Sequence, residues 1–192
     1  KKDINVAKKI GCNWIALSYL QNSKLITQTR KLITSDMGII AKIENKTALK
    51  NIDEIIKATD VVMIARGDLA IDVGHSEVPK IQLELIKKCN QLSKSVIVAT
   101  QMLESMIENY TATRAEINDI ATAIFQGADT VMLSAESAIG KHPIQAVKTM
   151  AKTIASTENY KKEHIGDFKN TIDAKKDPVK SDRKSTRLNS SH

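Results

Sequence analysis

Apolar residues along this chain fall into short runs separated by longer amphipathic stretches. Five runs are short enough to be strands: NWIALS (13–18), GIIAKIE (38–44), VVMIARGD (61–68), SVIVATQ (95–101) and TVMLSAE (130–136). Each is rich in Ile, Val, Leu or Met, and unbroken apolar runs suit strands covered on both faces. Between them lie helical patterns. Leu49, Ile52, Ile55 and Ile56 recur at helical spacing behind Asn45, a candidate N-cap. Thr113 and Glu116 predict a capping box ahead of Ile117, Ile120, Ala121 and Ile124, and Gly127 stands where a helix-ending glycine belongs. Pro143 sits near the first turn of a third pattern, HPIQAVKTMAKTIA.

Alternating strand and helix patterns predict an α/β fold with a parallel sheet. It is either an open doubly wound sheet or part of a closed (β/α)8 barrel. No G-x-G-x-x-G follows any strand, as a dinucleotide-binding sheet would show. The runs instead end in polar residues: Ser18, Lys42 and Glu44, Arg66 and Asp68, Thr100 and Gln101, Ser134 and Glu136. Barrel strands converge at their C-terminal ends, where active sites lie. Five strands do not close an eight-stranded barrel, so the expectation is a partial TIM (β/α)8 barrel.

Residues two apart on a strand share a side. Lys42 with Glu44, Arg66 with Asp68, and Ser134 with Glu136 are therefore predicted to face the same way. Each pair alone reads equally well as a surface ion pair or a capping group. Together, carboxylates from adjacent strands flanking a lysine suggest a site for a hard cation, held by one or two carboxylates and substrate oxygens. The lysine would add a point charge for a phosphoryl group or an enolate. Gly67 would let a backbone N–H approach an anion without a Cβ in the way. The combination suits phosphoryl transfer. Arg-Gly-Asp is also a cell-adhesion tripeptide, but that role needs an exposed loop tip, and here the tripeptide ends an apolar strand.

Composition narrows the classes. Hydrophobic content of 42% with 27% charge is globular, and aromatics at 3% leave the core to aliphatic residues. No run approaches the ~18 apolar residues of a membrane span, and the polar opening residues show no signal peptide. Cys12 and Cys89 read as buried free thiols of a cytoplasmic protein. The net charge of +7 hints at nucleic acid. However, residues 161–192 alone carry nine Lys or Arg against five Asp or Glu, and no aromatic-rich strand accompanies the lysines elsewhere. A basic nucleic-acid-binding module would owe its binding to non-specific attraction by the tail.

The segments IIAKIENKTALKNIDEI, VVMIARGDLAIDV, VIVATQMLESM and TRAEINDIATAIFQGADTVMLSAESAIGKHP, in this order, resemble the pyruvate kinase family over residues 1 to 157. The resemblance implies the last five βα units of that family's catalytic barrel. It further implies phosphoryl transfer from phosphoenolpyruvate to ADP, giving pyruvate and ATP in the cytoplasm. Lys42 would stabilise the transferring phosphoryl group and the enolate. Glu44 and Asp68 would ligate Mg2+ or Mn2+. Lys42, Gly67, Asp68 and Thr100 would bind substrate, the backbone at 67–68 and the Thr100 hydroxyl taking its carboxylate. Thr100, Ser134 and Glu136 would serve enolate protonation. Arg66 would be structural or subunit-facing, and Ser18 would only line the mouth. Ala70 stands where many members have glycine, NYTATRAE lacks the usual prolines, and His142 replaces a usual tyrosine. His75, His142 and His164 read as surface or packing histidines.

The resemblance also implies features that this chain does not carry: three earlier strands with nucleotide and K+ ligands, a lid, and a C-terminal domain. The isolated piece is therefore expected to be inactive and aggregation-prone at its sheet edges, and the full-length protein to be a homotetramer without nucleic-acid or membrane partners. A metal-dependent aldolase could use Lys42, Glu44 and Asp68 for an enolate too, without needing ADP. Residues 158–180 read as a link toward the missing C-terminal domain. Residues 181–192, ending RKSTRLNSSH, read as an unstructured, non-native tail.

Overall fold

The computed structural model describes residues 2–164. The chain divides into two compact units, the first ending at Ile154 and the second starting at Ala155. In chain order the elements are helix α1 (Lys2–Lys9), β1 (Trp14–Leu17), α2 (Lys24–Arg30), β2 (Gly38–Ile43), α3 (Lys46–Lys50), α4 (Ile52–Ala58), β3 (Val61–Ala65), α5 (Arg66–Val73), α6 (Val78–Gln91), β4 (Ser95–Ala99), α7 (Arg114–Gln126), β5 (Thr130–Met132), α8 (Ala135–Ala138) and α9 (Pro143–His164). Short 3-10 turns occupy His75–Glu77 and Glu104–Ile107.

The five strands form one sheet in the order β1-β2-β3-β4-β5, every pair parallel. A doubly wound sheet reverses its strand order at a switch point. This sheet never reverses, so it has the topology of a barrel wall and is an α/β partial barrel. Register is set by alternation along each strand. Ile39, Ala41 and Ile43 of β2, Val62 and Ile64 of β3, Val96 and Val98 of β4 and Val131 of β5 all enter one core. There they meet Ile26 of α2, Ile55 and Ile56 of α4, Leu85 and Ile86 of α6, and Ile120 and Ile124 of α7. Burying each such side chain contributes roughly 1.5–3 kcal/mol. Lys42, between Ala41 and Ile43, points to the opposite side of the sheet.

Local signals explain most boundaries. The Asn45 side chain accepts from Ala48 N at 2.8 Å and starts α3. One helix was expected from 45 to 58, but the structure breaks it at Asn51. The Asn51 side chain leaves the helical path to donate to Gln21 O at 2.8 Å. Thr113 and Glu116 form the reciprocal capping box, and Gly127 ends α7 at φ +100°. Although partial burial pulls the Glu116 carboxyl upward, hydrogen bonds from Ser105 and Thr113 hold it below the ordinary range. α9 opens on Pro143 and continues to His164, past the point near 158 where apolar periodicity fades. An i,i+4 stack of Tyr160 on His164, with centroids 4.2 Å apart, supports its last turn. Residues 165–180 of the expected link and the tail at 181–192 lie outside the described residues.

Three strand ends differ from the sequence reading. β3 stops at Ala65, so Arg66, Gly67 and Asp68 form the first turn of α5, and strand alternation does not relate Arg66 to Asp68. β5 stops at Met132, Ser134 stands at the N-cap of α8, and Glu136 lies in its first turn. β4 stops at Ala99, because Thr100 and Gln101 adopt positive φ of 71° and 54°. The thiols also differ. Cys89 is buried, and burial pushes its thiol up to about 12, whereas Cys12 is only half-buried.

Candidate active site

The C-terminal ends of β1 and β2 build one cluster. The Lys42 ammonium lies 2.5 Å from Glu44 Oε1 and donates to Ser18 Oγ at 3.0 Å. Glu44 Oε2 accepts from the Tyr19 backbone N–H at 2.6 Å. The Glu44 side chain is 1% exposed and that of Lys42 25% exposed. A carboxylate this buried needs partners, and Lys42 with Tyr19 N–H supplies them. Each carboxylate oxygen carries two lone pairs, so one acceptor site remains on each.

The β3 and β4 ends build a second cluster. Gly67 N donates to Thr100 Oγ1 at 2.8 Å, and Thr100 Oγ1 donates to Ala99 O at 2.6 Å. The one Thr100 hydroxyl proton is thus engaged with the backbone. Asp68 is exposed in the first turn of α5, where no preceding turn provides carbonyl partners for the N–H groups. α5 is fixed at both ends, by this Gly67–Thr100 bond and by Asp72 Oδ2, which accepts from Lys46 N at 2.5 Å. The second bond ties the Asp68 helix to the residues that follow Glu44. Lys42 pairs with Met63 and Ile43 with Ile64 across the two strands, so Glu44 and Asp68 leave neighbouring strand ends.

Arg66 holds this region together. Its guanidinium is buried, at 7% residue exposure. It donates to Thr100 O at 2.7 and 3.2 Å, to Gln101 O at 2.9 Å and to Asp119 at 2.7 and 2.9 Å. The expected structural role of Arg66 matches this arrangement.

Ser134 and Glu136 come together in a different way from the one expected. Glu136 is buried and accepts from Leu103 N at 3.1 Å and Ser134 N at 2.8 Å. It braces the backbone after β4 and β5, so the two residues meet through Ser134's main chain. His75 and His164 are exposed and His142 packs edge-on against Tyr110, as surface and packing histidines do.

Sequence reasoning gave Ser18 no role beyond lining and did not reach Tyr19 or Asp72. Tyr19 acts through its backbone, which leaves no compositional trace. Among the described residues no group of three or more His, Cys, Asp or Glu gathers to hold a metal. Nor is any helix among them long and apolar enough to cross a bilayer.

Three comparisons bear on this geometry. Residues 1–147 match the family described as pyruvate kinase, barrel domain. The chain is 47% identical over 161 residues to a pyruvate kinase of Agrobacterium vitis, which covers 84% of this chain and 34% of the relative. It is 48% identical over 162 residues to a pyruvate kinase of Geobacillus stearothermophilus, covering 82% of this chain and 28% of the relative. A crystal structure of a pyruvate kinase from Cryptosporidium parvum superposes with a TM-score of 0.79 at 39% identity, over 81% of this chain and 34% of that one. The chain therefore spans about a third of the length of the relatives it matches.

Proposed function

The chain belongs to the pyruvate kinase family, and from that premise we propose that it supplies the lysine, the carboxylates and the substrate-carboxylate cradle for phosphoryl transfer between phosphoenolpyruvate and ADP. The observation that carries this reading is the joining of Lys42 to the buried Glu44, one strand away from the exposed Asp68.

Lys42 presents a full positive charge at a strand end, where it lowers the energy of negative charge developing on a phosphoryl group or an enolate oxygen. Glu44 and Asp68 fit a divalent cation, Mg2+ or Mn2+. Both are hard oxygen donors, Glu44 retains free lone pairs, and Asp68 has no partner among the described residues. When bound, the cation would act as a Lewis acid on phosphoryl and enolate oxygens. The first-turn N–H groups of α5 would orient the substrate carboxylate, joined by Gly67 N–H and the Thr100 hydroxyl once the carboxylate displaces their bonds to each other and to Ala99 O. Glu136 holds Ser134 and the segment after Thr100 in place. K+, which the full-length enzyme would require, would take its ligands from elsewhere, as would ADP. A homotetrameric, cytoplasmic enzyme completes the proposal. Residues 1–157 would be its barrel segment and 158–180 a link, with 181–192 lying outside the native sequence.

The test is a graft. Residues 1–157 replace the matching segment of the Geobacillus stearothermophilus relative, and pyruvate formation is followed in a coupled assay. The expected result is ADP-dependent activity in the graft and none in the isolated 192-residue chain. Full activity of the isolated chain, or turnover of the graft without ADP, would overturn the reading, and the second outcome would favour an aldolase.

Gly67 offers a finer test. A Cβ there would meet Thr100 Oγ1 at 3.5 Å and Thr100 Cβ at 3.8 Å, both ordinary contacts. The fold therefore does not demand glycine, and Gly67→Ala should leave stability within about 1 kcal/mol of the parent. In the graft it should raise the KM for phosphoenolpyruvate roughly tenfold by crowding the approach to the backbone N–H. An unchanged KM would remove Gly67 from the substrate cradle.

A further inference from the structure

We infer that Ser18 is a positioning residue for Lys42, an inference that rests on the functional reading above. The ammonium of Lys42 has three donors. Glu44 Oε1 takes one, at 2.5 Å, and Ser18 Oγ takes another, at 3.0 Å, which leaves one for a reacting oxygen. The two anchors differ in kind. Glu44 is an anion that a divalent cation would also claim, and any cation on it weakens its hold on the lysine. Ser18 is neutral. It keeps the ammonium in place without cancelling its charge and without competing for the cation.

The backbone reinforces this assignment. Ser18 and Tyr19 are adjacent at the end of β1, and Tyr19 N–H binds the other oxygen of Glu44 at 2.6 Å. Tyr19 does so with φ at +54°, a left-handed conformation that non-glycine residues adopt at a cost. Its side chain is 74% exposed, so packing of the ring does not account for that conformation. One two-residue turn thus fixes both partners of the Lys42–Glu44 pair, the acid through a main-chain N–H and the base through a hydroxyl.

The experiment uses the graft for turnover and the unaltered 192-residue chain, without metal, for lysine accessibility. Ser18→Ala should lower kcat roughly ten- to thirtyfold, the scale of one lost hydrogen bond to a charged group. The KM for phosphoenolpyruvate should change less than about threefold, and Ser18→Thr should restore most of the rate. In the 192-residue chain, Ser18→Ala should speed acylation of Lys42 by acetic anhydride, mapped by mass spectrometry, relative to exposed lysines such as Lys141. A kcat within twofold of the parent, failure of Thr to rescue, or unchanged Lys42 acylation would overturn the inference. Lys42→Met in the same graft separates the two claims. If that variant loses activity while Ser18→Ala does not, only the positioning role fails. If Lys42→Met stays active, the functional reading fails and the inference falls with it.

Discussion

Replacing Arg66 with methionine is expected to cost the fold about 3–5 kcal/mol, the range for breaking a buried charged network by removing one partner. Methionine roughly keeps the apolar stem but none of the donors. Thr100 O and Gln101 O lose hydrogen bonds of 2.7 and 2.9 Å, and Asp119 loses a fork at 2.7 and 2.9 Å. Thr100 and Gln101 are also successive non-glycine residues at φ 71° and 54°, each costing roughly 1–2 kcal/mol. Such a pair persists only where its surroundings over-determine it, and Arg66 holds both carbonyls. The Asp119 side chain is 34% exposed, so water recovers part of its loss and keeps the cost within that range. Arg66→Lys, with charge but no fork, should fall between the two. Urea unfolding followed by circular dichroism measures the difference. A methionine variant within 1 kcal/mol of the parent would show that the loop after β4 holds its conformation without the guanidinium.

The same residues show what can be read from a linear pattern. All five strands were legible, because apolar runs of three to five residues between helical patterns have few other interpretations. The caps at Asn45 and Thr113 were legible too, since each is completed within three residues. Their ends were less so. RGDLAIDV continues β3 without a break in sequence, and a glycine with two acids in eight residues hides the helix it forms. α6 went unread for a related reason. Val78, Gln82, Leu85, Ile86 and Cys89 make its buried face, but the polar Gln82 breaks the pattern that an apolar template counts. That glutamine is buried because its amide donates to Gln126 at 2.8 Å and its carbonyl faces Arg66.

The candidate site divides along the same line. Lys42 and Glu44 are two apart at the end of β2, Glu44 one residue past the strand, and the alternation carried over that step brings them together. Ser18 and Tyr19 reach them from another strand, 24 and 25 residues away, and only the β1–β2 register makes that visible. Glu136 was selected as a polar strand end, yet it is buried and spends its oxygens on two backbone N–H groups. A carboxylate's position in a motif does not reveal whether it faces a ligand or the chain itself.

Lys42→Met in the graft is expected to lower kcat by about a thousandfold or more, the scale for removing a preorganised stabiliser of developing negative charge. The loss is predicted to fall on the chemical step, because the lysine reaches a strand end with one donor to spare. Folding must be separated from chemistry. Glu44, 1% exposed, would keep only the Tyr19 N–H as partner, and a buried carboxylate short of a counter-charge destabilises. The partial exposure of Lys42 moderates that cost, and Lys42→Arg keeps the charge while changing the reach and shape of the donor. The arginine variant should therefore be folded yet still strongly impaired. Cation binding gives the opposite signature, since Glu44 freed of Lys42 should hold Mn2+ at least as tightly as the parent does. A thousandfold fall in kcat with undiminished Mn2+ affinity places the lysine in the chemistry. A methionine variant within tenfold of the parent rate, with Mn2+ affinity intact, would remove Lys42 from it.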